Sequence, residues 1–107
     1  MQELLLRREI FGKVLDGSKK STSRKGKRDI VNGALIFKMT EDETQHVTVN
    51  VTNVRYLPYG EITEDEAKKE GYESLADLQS VLVKIYGEIP SDELFTFISF
   101  EQDGGAE

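Results

Sequence analysis

An α+β fold is predicted, a small curved antiparallel β-barrel with flanking helices, and three segments carry that prediction. Val47, Val49 and Val51 alternate with Thr48, Asn50 and Thr52, the period-two pattern of a half-buried strand. Leu75, Leu78, Val81, Leu82 and Ile85 form one apolar stripe at helical spacing. LFTFISF (94–100) is β-branched, aromatic and nearly continuous, as a central strand requires. The resulting order of helix, strands, two helices and strand, with antiparallel pairing, excludes a doubly wound parallel sheet.

The first element reads as a helix over residues 3–16, because Ile10, Phe11, Val14 and Leu15 recur at helical spacing and Gly17 supplies a left-handed stop. A polar, basic loop follows, and Asn32-Gly33 marks a turn. ALIFKM (34–39) is short and apolar between turns, so it reads as a strand forming a hairpin with the valine-rich one. Val54 and Tyr56 take the opposite parity from Val47, Val49 and Val51, which predicts a β-bulge at 52–54. Pro58 and Gly60 end that strand. Thr63 and Glu66 have the spacing of a capping box, opening a short helix that runs to Glu70 before Gly71. Ser74 caps a second helix, which stops at Gly87. A single domain over 1–101 is expected, with 102–107 as a disordered tail.

The chain of 107 residues has a formal charge of −6 and contains no cysteine. Disulfides, thiol nucleophiles and thiolate metal sites are therefore excluded. No apolar run approaches the roughly 20 residues of a membrane span, and the N-terminus does not read as a signal peptide. A cytoplasmic protein, monomeric by default, is expected. Charge placement is more informative than total charge. Residues 18–28, SKKSTSRKGKR, hold Lys19, Lys20, Arg24, Lys25, Lys27 and Arg28 with no acid, while the rest of the chain has eight basic and twenty acidic residues. An acidic body with one basic segment fits a protein that meets an anion at a single place. A merely solvated basic loop would look the same.

Few residues are arranged for chemistry. His46 is the one histidine and reads as a strand-end residue; alone it supports neither a metal site nor a triad. No phosphate-loop or dinucleotide glycine pattern occurs, and no cofactor or metal is implied. The segment GSKKSTSR (17–24) mixes hydroxyls and cations after a helix stop, a combination suited to holding an anion. In a fully extended segment Lys19 would face away from Thr22 and Arg24, so convergence requires a bend near Lys20. Among the aromatic residues, Tyr59 beside the Pro58–Gly60 turn is the candidate base-stacking surface, while Tyr86, Phe95, Phe97 and Phe100 read as core.

Gly17, Lys19, Thr22 and Arg24 resemble the Gly-x-Lys-x-x-[Glu/Thr]-x-Arg signature of ASCH domains, members of the PUA-like superfamily. The likeness continues through VTVNVTNVRYL, the ITEDEAKKEGYESLADLQSVLVKIYG segment and the closing apolar strand. It implies a PUA-like barrel with a cleft for RNA or a modified nucleoside. Thr at position 22, where many members have Glu, is similar to short bacterial members that hydrolyse N(4)-acetylcytidine. By that resemblance Thr22 is the nucleophile, Lys19 the base and Glu70 the proton donor of a metal-independent amidohydrolase, with Arg24 orienting the substrate. Lys20, Lys25, Lys27 and Arg28 exceed what a neutral nucleoside needs and suit a phosphate backbone, which leaves a non-catalytic RNA-binding or regulatory module as the alternative. A basic loop meeting an acidic protein partner is a third class.

Overall fold

A computed structural model describes residues 2–102. Five strands and three helices occur in the order β1 (Gln2–Leu6), α1 (Arg8–Leu15), β2 (Ser21–Lys25), β3 (Gly33–Met39), β4 (Asp42–Pro58), α2 (Glu64–Lys69), α3 (Leu75–Tyr86) and β5 (Leu94–Gln102). A single 3-10 turn at Tyr59–Glu61 links β4 to α2. The strands form one sheet in the order β1-β3-β4-β5-β2. The predicted α+β class holds, as a mixed sheet: three pairings are antiparallel and β1 lies parallel to β3. The sheet curls into a half-barrel, and its two edges are tied where Arg24 Nη2 on β2 donates to the Leu5 carbonyl of β1 at 2.8 Å.

Two local expectations are corrected. Residues 2–6 are a strand, so the helix begins at Arg8 and not at residue 3. Leu4, Leu5 and Leu6 are half-buried, exposed and buried in turn, a pattern that helical periodicity further along the chain obscured. Hydrogen bonding to the β3 edge stabilises this strand, and only the tertiary fold supplies that edge. The Gln2 side chain fastens its start, with Nε2 donating to Val31 O at 2.7 Å and Oε1 accepting from Val31 N at 3.0 Å. The second correction concerns the basic segment, whose middle is not a loop. Ser21–Lys25 pair with β5, Thr22 opposite Ile98 and Arg24 opposite Thr96. Small hydroxyl residues permit burial on both faces, so no apolar alternation announces the strand.

The other elements follow the pattern in the sequence. The β4–β5 register shifts between Val51 and Asn53, which is the bulge that the parity change predicts. β5 is nearly continuous in apolar residues because both of its faces are covered. Ile98 and Phe100 join Phe11, Val14, Leu35 and Phe37 in one core, while Phe95 and Phe97 join Ala67, Leu78 and Leu82 in another. Thr63 Oγ1 caps α2 by accepting from Glu66 N at 3.2 Å, and Ser74 Oγ does the same for α3 from Asp77 N. The reciprocal half of the predicted capping box is absent, since the Glu66 carboxylate turns to Arg55 on β4. The apolar stripe of α3 is buried at Leu78 and Leu82 but ends in an exposed Ile85. Strand β5 extends through Gln102, and residues 103–107 of the expected tail lie outside the described residues.

Candidate functional site

The segment after α1 is fixed by its backbone. Gly17 turns the chain at φ +85°, a conformation that disfavours any residue with a Cβ. Lys19 N then donates to Lys13 O at the end of α1, and Lys20 N to Lys69 O at the end of α2. Lys20 O accepts from Phe100 N on β5. These bonds hold Lys19 and Lys20 between α1, α2 and β5, and the chain enters β2 at Ser21.

All three side chains line one cleft of about 500 Å³, together with Glu70, the C-cap of α2. Ile10, Val81 and Ile85 supply an apolar wall, and Lys13 and Tyr72 complete the polar one. Lys19 and Glu70 are each only 3% exposed. Lys19 Nζ donates to the Glu70 carbonyl at 3.3 Å and stands 3.7 Å from Glu70 Oε1. That carbonyl belongs to the open end of α2, which a cation satisfies. Ser23 Oγ donates to Glu70 Oε1 at 3.2 Å, whereas Glu70 Oε2 is buried with no hydrogen-bond partner.

Burial sets the protonation of this pair. It draws Lys19 down to about 8, helped by the nearby Arg24 and Lys13 charges and opposed by Glu70. Desolvation thus outweighs the surrounding cations as the cause. Burial likewise raises Glu70, against the pull of Lys19, Ser23 and Arg24. Both shifts favour a neutral amine facing a neutral acid. Such a pair holds the same single proton as an ammonium facing a carboxylate, so its titration steps belong to the two groups jointly.

Thr22 is 2% exposed, and its Oγ1 accepts from Arg24 Nη1 at 2.9 Å. The guanidinium also donates to Ser23 O and Leu5 O. No carboxylate lies within ion-pair distance of Arg24 among the described residues.

The remaining candidate residues are dispersed. Lys20 has an exposed side chain, Lys25 Nζ stands 5.8 Å over the Tyr86 ring, and Lys27 Nζ stands 5.3 Å over Tyr56. Arg28 is exposed and lines a second cleft of about 470 Å³. Tyr59 lines neither cleft; its ring packs on Phe95 at 5.7 Å beside the second core. Tyr72 is an aromatic residue at the site that the sequence reading did not select, with Lys13 Nζ 4.6 Å and Lys19 Nζ 5.9 Å from its ring centre. Its position directly after Glu70-Gly71 was the available signal. Tyr86 only partly fits its core reading, since it packs edge-on against Phe95 and also lines both clefts. His46 is exposed on β4 opposite Lys38. No group of three or more metal-ligating side chains occurs among the described residues, and no helix among them is long and apolar enough to cross a membrane.

Comparison with known proteins adds a family and a fold. The sequence profile described as "ASCH domain" matches residues 3–102. No curated protein sequence matches the chain. Among solved structures, the ASCH domain of Lactobacillus crispatus JV V101 superposes with a TM-score of 0.78 at 17% identity, over 94% of this chain and 79% of that one. A protein of Enterococcus faecalis V583 gives 0.68 at 19% identity, over 96% and 80%. A mutant of the ASCH protein of Zymomonas mobilis gives 0.65 at 12% identity, over 94% and 68%. At these identities the likeness concerns the fold alone.

Proposed function

The chain belongs to the ASCH domain family, and on that premise we propose that its cleft binds a modified nucleoside or RNA and hydrolyses the amide of an N-acylated cytidine such as N(4)-acetylcytidine. One observation carries this reading: a lysine and a glutamate, both buried and both shifted towards their neutral forms, share a cleft with a buried threonine.

A threonine hydroxyl attacks a carbonyl only when a base removes its proton. A neutral Lys19 amine is such a base, and burial makes that form accessible near pH 8. Arg24, donating to Thr22 Oγ1, stabilises the negative charge that develops on the oxygen. Thr22 Oγ1 bonds to the acyl carbon, and collapse of the tetrahedral intermediate expels the cytidine amine. Protonated Glu70 supplies the proton that this leaving nitrogen requires. Water then gives a proton to the Glu70 carboxylate and attacks the threonine ester, and the Lys19 ammonium returns a proton to Thr22 Oγ1 as the carboxylic acid leaves. The pair carries one proton at the start and at the end.

The test is turnover of N(4)-acetylcytidine followed by ultraviolet absorbance. Wild type is expected to hydrolyse it, and Thr22→Ala, Lys19→Ala and Glu70→Ala are expected to abolish hydrolysis while remaining folded. No turnover at high enzyme concentration would transfer the reading to RNA binding without catalysis. Arg28 favours that second reading, because it adds positive charge to a second cleft that shares Leu5, Arg24 and Tyr86 with the first. Its mark is salt dependence: phosphate contacts make log affinity fall by about 0.7 per contact with log salt on single strands.

A further inference from the structure

The two clefts share a wall: Leu5, Arg24 and Tyr86 line both the second cleft and the one that holds Lys19, Thr22 and Glu70. The charges in the second cleft are unevenly matched. Lys38 is paired with Glu3 at 3.1 Å, and Glu43 is an exposed wall residue. Arg24 and Arg28 have no carboxylate within ion-pair distance among the described residues. Arg28 directs Nε at the Lys25 carbonyl at 3.0 Å, which fixes the side chain and leaves its terminal nitrogens uncommitted. Its backbone is held too, with Arg28 N donating to Thr96 Oγ1 at 2.8 Å. Both guanidiniums line this cleft, so each adds positive charge to the same walls. Arg24 already donates to Thr22 Oγ1, Ser23 O and Leu5 O and so brings mainly its charge, whereas the terminal nitrogens of Arg28 are paired donors of the kind that phosphate oxygens accept.

We infer that the second cleft is a phosphate subsite, held by Arg28 with the charge of Arg24 in the same wall, and that the substrate is a nucleotide and not a free nucleoside. This rests on the proposed reading of the first cleft and adds the substrate's class to it. Arg24 connects the two clefts, since the same guanidinium donates to Thr22 Oγ1. The phosphate belongs to a mononucleotide or to an RNA strand, and the experiment separates the two.

The kcat/KM of wild type is measured for N(4)-acetylcytidine and for its 5′-monophosphate. A preference of about tenfold or more for the monophosphate is expected, since a charge-assisted hydrogen bond contributes that much. Arg28→Gln, at an exposed position, should reduce that preference at least fivefold. Equal kcat/KM for the two substrates, or a preference unaltered by Arg28→Gln, overturns the inference. If neither compound is hydrolysed, the amidohydrolase reading fails separately, and the subsite is judged by calorimetric Kd values of cytidine and cytidine 5′-monophosphate. Tighter binding of the monophosphate that Arg28→Gln removes sustains the subsite; equal Kd values refute it. A short oligoribonucleotide carrying one N(4)-acetylcytidine then decides the source. A steeper salt dependence than the mononucleotide shows assigns a strand, and an equal one assigns a mononucleotide.

Discussion

Glu66 and Glu70 lie one turn apart on and just beyond α2, both buried, and their partners make them different groups. Glu66 Oε2 accepts from Arg55 Nη2, and the Arg55 guanidinium stands 6.0 Å from the Phe97 ring centre. Glu70 faces Lys19. A guanidinium does not surrender its proton at any accessible pH, so Arg55 gives Glu66 an ion pair that joins α2 to β4. A buried ammonium does surrender it, and the Lys19–Glu70 pair can collapse to a neutral amine and acid. One pair is a strut, and the other is shifted towards its neutral forms. The choice between arginine and lysine as partner makes the difference.

Activity should break this symmetry most strongly. Thr22→Ala and Lys19→Met are expected to lower kcat for an N-acylcytidine by about 10³-fold or more, as for residues that act as a unit. Arg55→Ala should leave kcat within about tenfold, because it touches α2 and not the reacting atoms. The pH dependence of turnover adds detail. Activity should peak where the Lys19–Glu70 pair holds one proton and fall on both sides.

Stability should respond to pH through Lys19. Its pKa is 10.5 when unfolded and about 8 in the fold, so between these values the unfolded chain binds more protons. Stability therefore rises with pH across that window and is lost again as pH falls through about 8. Relative to Lys19→Met, wild type should gain on the order of 3 kcal/mol from pH 8 to pH 10.5, read from urea midpoints. A flat difference would mean that Lys19 is solvated. The strut has a smaller expected effect: Arg55→Ala should cost about 2 kcal/mol, below the cost of breaking a fully buried pair because Arg55 is partly exposed. Lys19→Met, which replaces a buried cation with an apolar chain and leaves an acid free to protonate, should cost less than about 1 kcal/mol. The smallest effect belongs to the exposed basic residues. Lys27→Ala should weaken binding of a single-stranded oligoribonucleotide by about 0.5–1 kcal/mol and reduce the salt slope by roughly 0.7.

Much of the sheet and the helices was legible because local signals agreed with the fold. The alternation at Val47, Val49 and Val51, the parity change at Val54 and the Thr63 and Ser74 caps each have a local cause. β1 and β2 were missed for a shared reason. Both are edge strands whose backbone partners lie far along the chain, and neither shows extended apolar alternation. Lys19, Thr22, Arg24 and Glu70 were found through a family signature, and the structure brings them to one cleft. Tyr59 was selected for its turn and is turned to the core; Tyr72, three residues past Lys69, occupies the site instead.

The sequence by itself determined the α+β class, the bulge, the starts of α2 and α3 and the basic segment whose residues include Lys19, Thr22 and Arg24. These depend on spacing and residue type over a few neighbours. Tertiary structure alone decided the parallel edge strand, the Arg24 bond that closes the half-barrel, and the protonation of the central pair. Lys19 and Glu70 are 51 residues apart, and each loses its water only when α2 packs against the turn that precedes β2. Desolvation is a property of the assembled fold, so no pattern of residues along the chain expresses it.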